Sequence, residues 1–177
     1  MSRELRMVKS DWEHPRDNEG RYIPLFKDFN DVLSYWKEGK RQWENGFTVD
    51  WTVSMSYKNI YGWKPKSTLD EHYRSMTWEE FDSQEPKKEE FMPTWSEEEK
   101  THFQMYETTS EGTPISPVCG SAEELAHWLA DNKANTFADD TASYETGLHT
   151  IKGIGWAPSG VMKNGKIISG VLANTLL

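Results

Sequence analysis

Cysteine is almost missing from this chain: Cys119 stands alone. An intramolecular disulfide is therefore impossible, and no cysteine cluster exists to hold zinc or an iron–sulfur centre. Long apolar runs are missing as well. No stretch approaches the ~18 consecutive apolar residues of a membrane-spanning helix. The opening residues, MSRELRMVKSDWEHP, contain no apolar core of a secretory signal, so a cytoplasmic location and no membrane association are expected. Positive charge is in short supply: Lys and Arg number 20 against 29 Asp and Glu, a net charge of −9. Such a balance argues against a nucleic-acid phosphate binder, which needs a basic face to displace counterions, and against docking on an anionic bilayer. Aliphatic side chains are scarce too. Leu, Ile, Val and Phe make up 31 of 177 residues, below the one-fifth level that, with high net charge, accompanies disorder.

What replaces them is aromatic. Nine Trp and seven Tyr are present, and each large ring buries ~150–250 Å² when packed. Seven of the nine Trp fall in residues 1–100 without repeat spacing, which favours an aromatic-rich core over a stack of exposed rings. A folded chain is expected.

Hydrophobic periodicity outlines the elements. Phe29, Val32, Leu33, Trp36 and Trp43 recur at helical spacing over 28–45, with Asp28 or Asn30 to cap the start and Gly46 to end it. Residues 48–57 alternate Val49, Trp51, Val53, Met55 and Tyr57 against polar residues, as a half-buried antiparallel strand does. Shorter strands are expected at 3–8, through Leu5 and Met7, and at 101–108. Ser121-Ala-Glu-Glu124 has the form of a capping box ahead of a helix burying Leu125, Trp128 and Leu129. A further helix is expected over 141–151, with Asp139-Asp140 as its caps, and a hairpin turn at Asn164-Gly165. The sum is α+β: a single compact domain over 1–177 with an antiparallel sheet and two to three helices. Within it, residues 70–99 form an acidic-aromatic connecting stretch, and a boundary near 95 stays open.

That stretch carries eleven acids and three bases, net −8 in thirty residues, with Tyr73, Trp78, Phe81, Phe91 and Trp95 interleaved. It is either a solvated connection whose rings pin it to the core, or a surface complementary to a basic partner. On the second reading Glu79, Glu80, Asp82, Glu89 and Glu90 touch the partner. The other conspicuous stretch is the hydroxyl-rich loop after the 101–108 strand. Thr108, Thr109, Ser110, Thr113 and Ser116, with Gly112 for unusual dihedrals, can aim hydroxyls and amides at a ligand. Tyr106 or Trp156 is available to stack on it, while Glu111 with Glu107 would repel a phosphate. Its alternative is a rigid loop satisfying its own backbone.

Catalytic signatures are weaker. Cys119 stands two residues before a helix, where a dipole lowers a thiol pKa, and Ser110 could join a histidine and Asp139 or Asp140, but neither has a local motif. The five histidines are scattered, with no HxxxH pair, so no metal and no cofactor is expected. The GxG within Gly153–Gly160 lacks the full dinucleotide fingerprint.

The run THFQMYETTSEGTPISPV at 101–118, followed by EELAHWLADN and then GWAPS, resembles a family of small proteins encoded in tailed-phage and prophage genomes. The DWEHP and RYIPL stretches near the start share that resemblance, which touches about half the chain. That family carries no established biochemical activity, so no catalytic residue transfers. The resemblance implies a phage or prophage origin and expression in a bacterial host cytoplasm. In that setting the leading expectation is an accessory protein acting non-enzymatically on a host bacterial protein, for example as an anti-defence inhibitor. The alternative is a binder or sequesterer of a small nucleotide-like ligand through the 108–116 loop. A hydrolase or transferase using Cys119 or Ser110 is the further alternative.

Overall fold

A computed structural model describes residues 3–55, 60–107, 112–137, 140–153, 155–157, 160–163 and 165–174. The class is α+β, and every pairing of named strands is antiparallel. The chain divides into two compact units. Met1–Phe26 and Pro93–Leu177 form the first, and Lys27–Met92 forms the second, inserted into it. The return junction at 92/93 lies beside the boundary left open near 95. The departure at 26/27 has no signal in the sequence, because PLFKDF runs through it with no linker composition.

In the first unit, β1 (Arg3–Val8) lies between β4 (His102–Glu107) and β8 (Trp156–Ala157), and β5 (Thr113–Pro114) pairs with the outer side of β4. The register sets Leu5 opposite Met105 and Arg6 opposite Gln104. Period-two geometry then sends Leu5, Phe103 and Met105 to one face, and Arg6, Gln104 and Tyr106 to the other. The first face meets α4 (Ala122–Asp131) and α5 (Tyr144–Lys152) around a core of Met105, Cys119, Leu125, Ala126 and Ile151. The second face is covered by irregular chain from residues 9–26. Tyr106 and Val8 are both 0% exposed there. Both faces are therefore buried, where alternation suggests one. Met7, expected inward, is 36% exposed, and the buried polar residues of β1 are Arg3 and Arg6. The unit ends in hairpins β6 (Asn135–Phe137) with β7 (Asp140–Thr141), and β9 (Gly160–Lys163) with β10 (Lys166–Ser169), before α6 (Gly170–Asn174). Gly165 has φ 74°, as a hairpin turn of that kind requires; Asn164 lies outside the described residues.

Helix ends follow local chemistry, with two corrections. Ser121 Oγ accepts from Glu124 N at 3.0 Å, but the Glu124 carboxylate accepts from Gly120 N rather than Ser121 N, so the box is half closed. The cap of α5 is Ser143, whose Oγ accepts from Thr146 N. Asp140 belongs to β7 instead, and Asp139 lies outside the described residues.

The second unit is built on tryptophan. The helix α1 (Phe29–Glu44) packs Trp36 and Trp43 against Val49 of β2 (Phe47–Met55) and Trp78 of α3 (Trp78–Phe81). The indole N–H groups of Trp36 and Trp43 donate to Ser83 O and Met76 O, at 2.8 and 3.0 Å. These bonds fasten the acidic stretch to the helix. Thr77 and Glu80 form a full capping box at the start of α3. The short α2 (Glu71–Arg74) precedes it, and β3 (Ile60–Pro65) pairs with β2.

Three expectations fail in this unit. Asp28 occupies the α1 N-cap but in the left-handed conformation, φ 59°, with no side-chain cap bond. Val32 is 39% exposed, and Gly39 is buried in its place. Along β2 the pairing slips between Asp50 and Met55, leaving Trp51 66% and Val53 52% exposed; Tyr57 lies outside the described residues. A bulge of this kind breaks the two-residue period on which the inward assignment of 51 and 53 depends.

Glycine position decides the sign of two substitutions. A Cβ on Gly39 would stand 2.3 Å from Trp78 Cζ2. Gly39→Ala should therefore destabilise the second unit by about 1–3 kcal/mol, outweighing a helix-propensity gain of about 1 kcal/mol. A Cβ on Gly147 would meet only Ala126 Cβ at 4.0 Å, beside an apolar cavity of about 40 Å³. Gly147→Ala should stabilise by about 0.5–1 kcal/mol. Urea denaturation of the two variants checks both signs.

Candidate functional site

On the covered face of the first unit's sheet, four side chains meet at one oxygen. The Tyr106 hydroxyl accepts from Trp12 Nε1 at 3.1 Å, faces His14 Nδ1 at 3.1 Å and donates to Gln104 Oε1 at 2.9 Å. The Arg6 guanidinium lies over the Tyr106 ring, 4.2 Å from its centre, and donates to Leu25 O at 2.8 Å. Gln104 Nε2 donates to Ser116 O at 3.0 Å, which fixes the amide so that its oxygen faces Tyr106. His14 Nε2 sits 2.6 Å from Ile23 O. A carbonyl only accepts, so Nε2 carries a proton.

One consequence is a proton shortage. With His14 neutral, Nδ1 is an acceptor, and the single hydroxyl proton of Tyr106 faces two acceptors, Gln104 Oε1 and His14 Nδ1. With His14 protonated, Nδ1–H donates to the Tyr106 oxygen, and every member of the group is satisfied. Burial nevertheless holds the His14 imidazole below its ordinary value of 6.5. The Ile23 hydrogen bond opposes that effect, while the positive charges of Arg6 and Arg16 add to it. Burial also pushes the Tyr106 hydroxyl up to about 12, so it stays protonated at neutral pH.

His14 and Gln104 of this group form the floor of an open cleft of about 510 Å³. Its walls include Trp12, Arg16 and Tyr22 from the 9–26 segment, with Pro117 and Val118 from the chain leading into α4. Trp12 is half-buried and packs edge-on against Trp95 at 5.0 Å. Arg16 covers the Tyr22 ring at 3.7 Å and donates to Gly20 O at 2.6 Å. The turn beneath is tied by Asp17, which accepts from the backbone of Glu19 and Arg21. Volume, rings and a few fixed polar groups are the ordinary ingredients of a small-molecule site.

The residues singled out from sequence distribute unevenly around this cleft. Tyr106 lies beneath its floor, fully buried, so it supports the site rather than stacking on a ligand. Ser116 accepts from Met105 N and donates to Pro117 O, a structural role. Thr113 pairs with Glu107 in the β4–β5 ladder. Gly112 has φ 64°, and a Cβ there would lie 2.3 Å from Leu25 O, so its freedom serves close backbone packing. Thr108, Thr109, Ser110 and Glu111 lie outside the described residues; Trp156 is described only through its backbone, opposite Glu4.

The acids of the second unit divide similarly. Glu79 pairs with Lys40 at 2.5 Å, and Glu80 closes the Thr77 capping box. Asp82, Glu89 and Glu90 are exposed. Cys119 is 1% exposed within the core, and its thiol is pushed up to about 11 by burial and by Glu124, far from a thiolate nucleophile. Among the described residues no three His, Cys, Asp or Glu side chains converge as a metal set, and no helix is long and apolar enough to cross a membrane.

His14, Trp12, Arg6, Arg16 and Gln104 escape the sequence reading because they lie 90 residues and more from their β4 partners or carry no motif. The signal available was the run 10–25 itself, which has rings, a histidine and charges but no periodicity, as a functional loop does.

Two measurements follow from this geometry. Tyr106→Phe strands Trp12 Nε1 and Gln104 Oε1 and should cost about 1–3 kcal/mol. The unfolded chain protonates at position 14 before the folded one does. His14 therefore contributes stability that is present above pH 6.5 and lost as pH falls from there toward the lower folded-state value. His14→Gln should flatten that part of the acid-side slope, read as the urea midpoint against pH. Comparison of the chain with protein-family models, with curated proteins and with solved structures gives no match in any of the three.

Proposed function

We propose that this chain is a phage- or prophage-encoded accessory protein that works by binding rather than by chemistry, and that the cleft over Tyr106 holds a flat, nucleotide-like small molecule. The observation that carries the reading is the cleft's make-up: the rings of Trp12 and Tyr22 and the Arg16 guanidinium stand over a hydrogen-bonded floor of His14 and Gln104. Stacking on such rings contributes about 1–3 kcal/mol per base in nucleic-acid complexes. The buried, high-pKa thiol of Cys119 favours binding over nucleophilic catalysis. The cleft stands beside the chain that leads into α4, where Pro117 and Val118 line it; none of the described residues 112–116 is in its lining.

A second reading, in which the target is a host protein, draws on the second unit. Trp51 and Val53 are exposed on β2, and Asp82, Glu89 and Glu90 are exposed nearby in sequence to the tryptophan core. The two readings separate by titration. Adenosine and uridine followed by NMR should perturb the indole signal of Trp12, and Trp12→Ala should weaken binding about tenfold or more. Binding of neither nucleoside, together with salt-sensitive retention of a host protein that Glu89→Lys and Glu90→Lys abolish, would replace the first reading by the second.

A further inference from the structure

Resting on the cleft reading, we infer that the ligand is an aromatic anion, a ring bearing a phosphate or carboxylate, and that it enters together with a proton that settles on His14. Three observations converge. First, two guanidiniums act electrostatically on His14 inside a chain of net charge −9: Arg16 stands in the cleft wall, and Arg6 lies over the Tyr106 ring beneath the lining. Second, His14 is 7% exposed and Gln104 4% exposed, yet both border the cleft, so a ligand group reaching them meets fixed, desolvated polar atoms. Third, the Tyr106 hydroxyl beneath the floor is one proton short while His14 is neutral, with Gln104 Oε1 at 2.9 Å and His14 Nδ1 at 3.1 Å competing for its proton.

The coupling is electrostatic. The charged and titratable groups around His14 are Arg6 on β1, Arg16 on its own segment, Tyr106 on β4 and Tyr22 across the turn. Glu13, exposed at the mouth, is the carboxylate among the lining residues. Burial, with the two guanidiniums adding to it, holds the His14 imidazole below its ordinary value and so favours the neutral form despite the extra hydrogen bond that protonation would give. An anion offsets those cations. His14 then takes a proton from solvent at Nδ1 and donates it to the Tyr106 oxygen, while the Tyr106 proton stays with Gln104 Oε1. Arg16 is exposed, and among the described residues its guanidinium donates through one nitrogen, to Gly20 O in the turn, so its remaining donors suit a phosphate or carboxylate. Glu13 opposes the anion.

The test compares adenosine with adenosine 5′-monophosphate by calorimetry in buffers of different ionisation enthalpy, at about pH 6 and about pH 8. The monophosphate should bind about tenfold tighter or more than adenosine, with a larger margin at the lower pH. A fraction of one proton should be taken up on binding. Arg16→Gln should weaken the monophosphate more than adenosine and so shrink the margin, and Glu13→Gln should widen it. His14→Gln should abolish proton uptake; because proton uptake is also measured on the unaltered chain, instability of that variant does not spare the inference. Equal affinities for the two compounds, or no proton uptake, would overturn the inference and leave the cleft reading standing. Binding of neither compound would overturn both.

Discussion

The Tyr106 hydroxyl is the point on which one whole face of the four-stranded sheet depends. Residues 9–26 contain little regular structure and few aliphatic side chains, so they have little hydrophobic free energy of their own with which to cover a sheet. What holds them is a set of directional contacts: Trp12 and His14 to the hydroxyl, His14 to Ile23, and Arg6 to Leu25. Polar contacts of this kind are modest when made and costly when half made. The segment therefore adopts one arrangement or loses most of its support together. The cleft inherits its shape from that all-or-none attachment, since Trp12, Arg16 and Tyr22 are placed by the same segment.

The inserted unit reaches order by another route. Its core is four large or β-branched residues, three of them tryptophan, and the indole N–H groups of Trp36 and Trp43 are spent on carbonyls in the acidic stretch. Trp78 Nε1, by contrast, is buried without a partner among the described residues. Ring area replaces the missing aliphatic residues, while the N–H groups decide which way two of the rings face. Acidic residues here serve the fold as well as the surface, as the Glu79–Lys40 pair and the Glu80 cap show.

Much of this was legible in the sequence. The α+β class, α1, β1, β4, α4, α5 and the last hairpin all follow from periodicity and capping chemistry, because each is specified by neighbours a few residues away. The failures have the opposite character. Trp51 and Val53 look inward until the Asp50–Met55 slip turns them out, and a bulge has no residue signature of its own. Asp28 looks like a cap and is held left-handed instead. The cleft was the least legible part: Trp12 and Tyr106 are 94 positions apart, and no local pattern announces that they meet. Gly112 and Ser116 stand out in the sequence as ligand-facing candidates; in the structure Gly112 closely approaches Leu25 O, and the Ser116 hydroxyl accepts from Met105 N.

The interrupted first unit also bears on how the chain comes to be folded. β1 pairs with β4 across the whole of the insertion, so Leu5 must wait for Met105 before the sheet exists. Closing so long a loop from an unstructured chain is entropically unfavourable, and distant pairings of this kind slow folding. The tryptophan core of α1, β2 and α3, and the pairing of β2 with β3, fall within 27–92. If those residues collapse first, the flexible chain between β1 and β4 is shortened before the sheet closes. On a ribosome the order is the same: β1 emerges first and stays without its partner strand until the tryptophan-rich unit has been made, so the insertion acts as a delay between the two halves of one sheet.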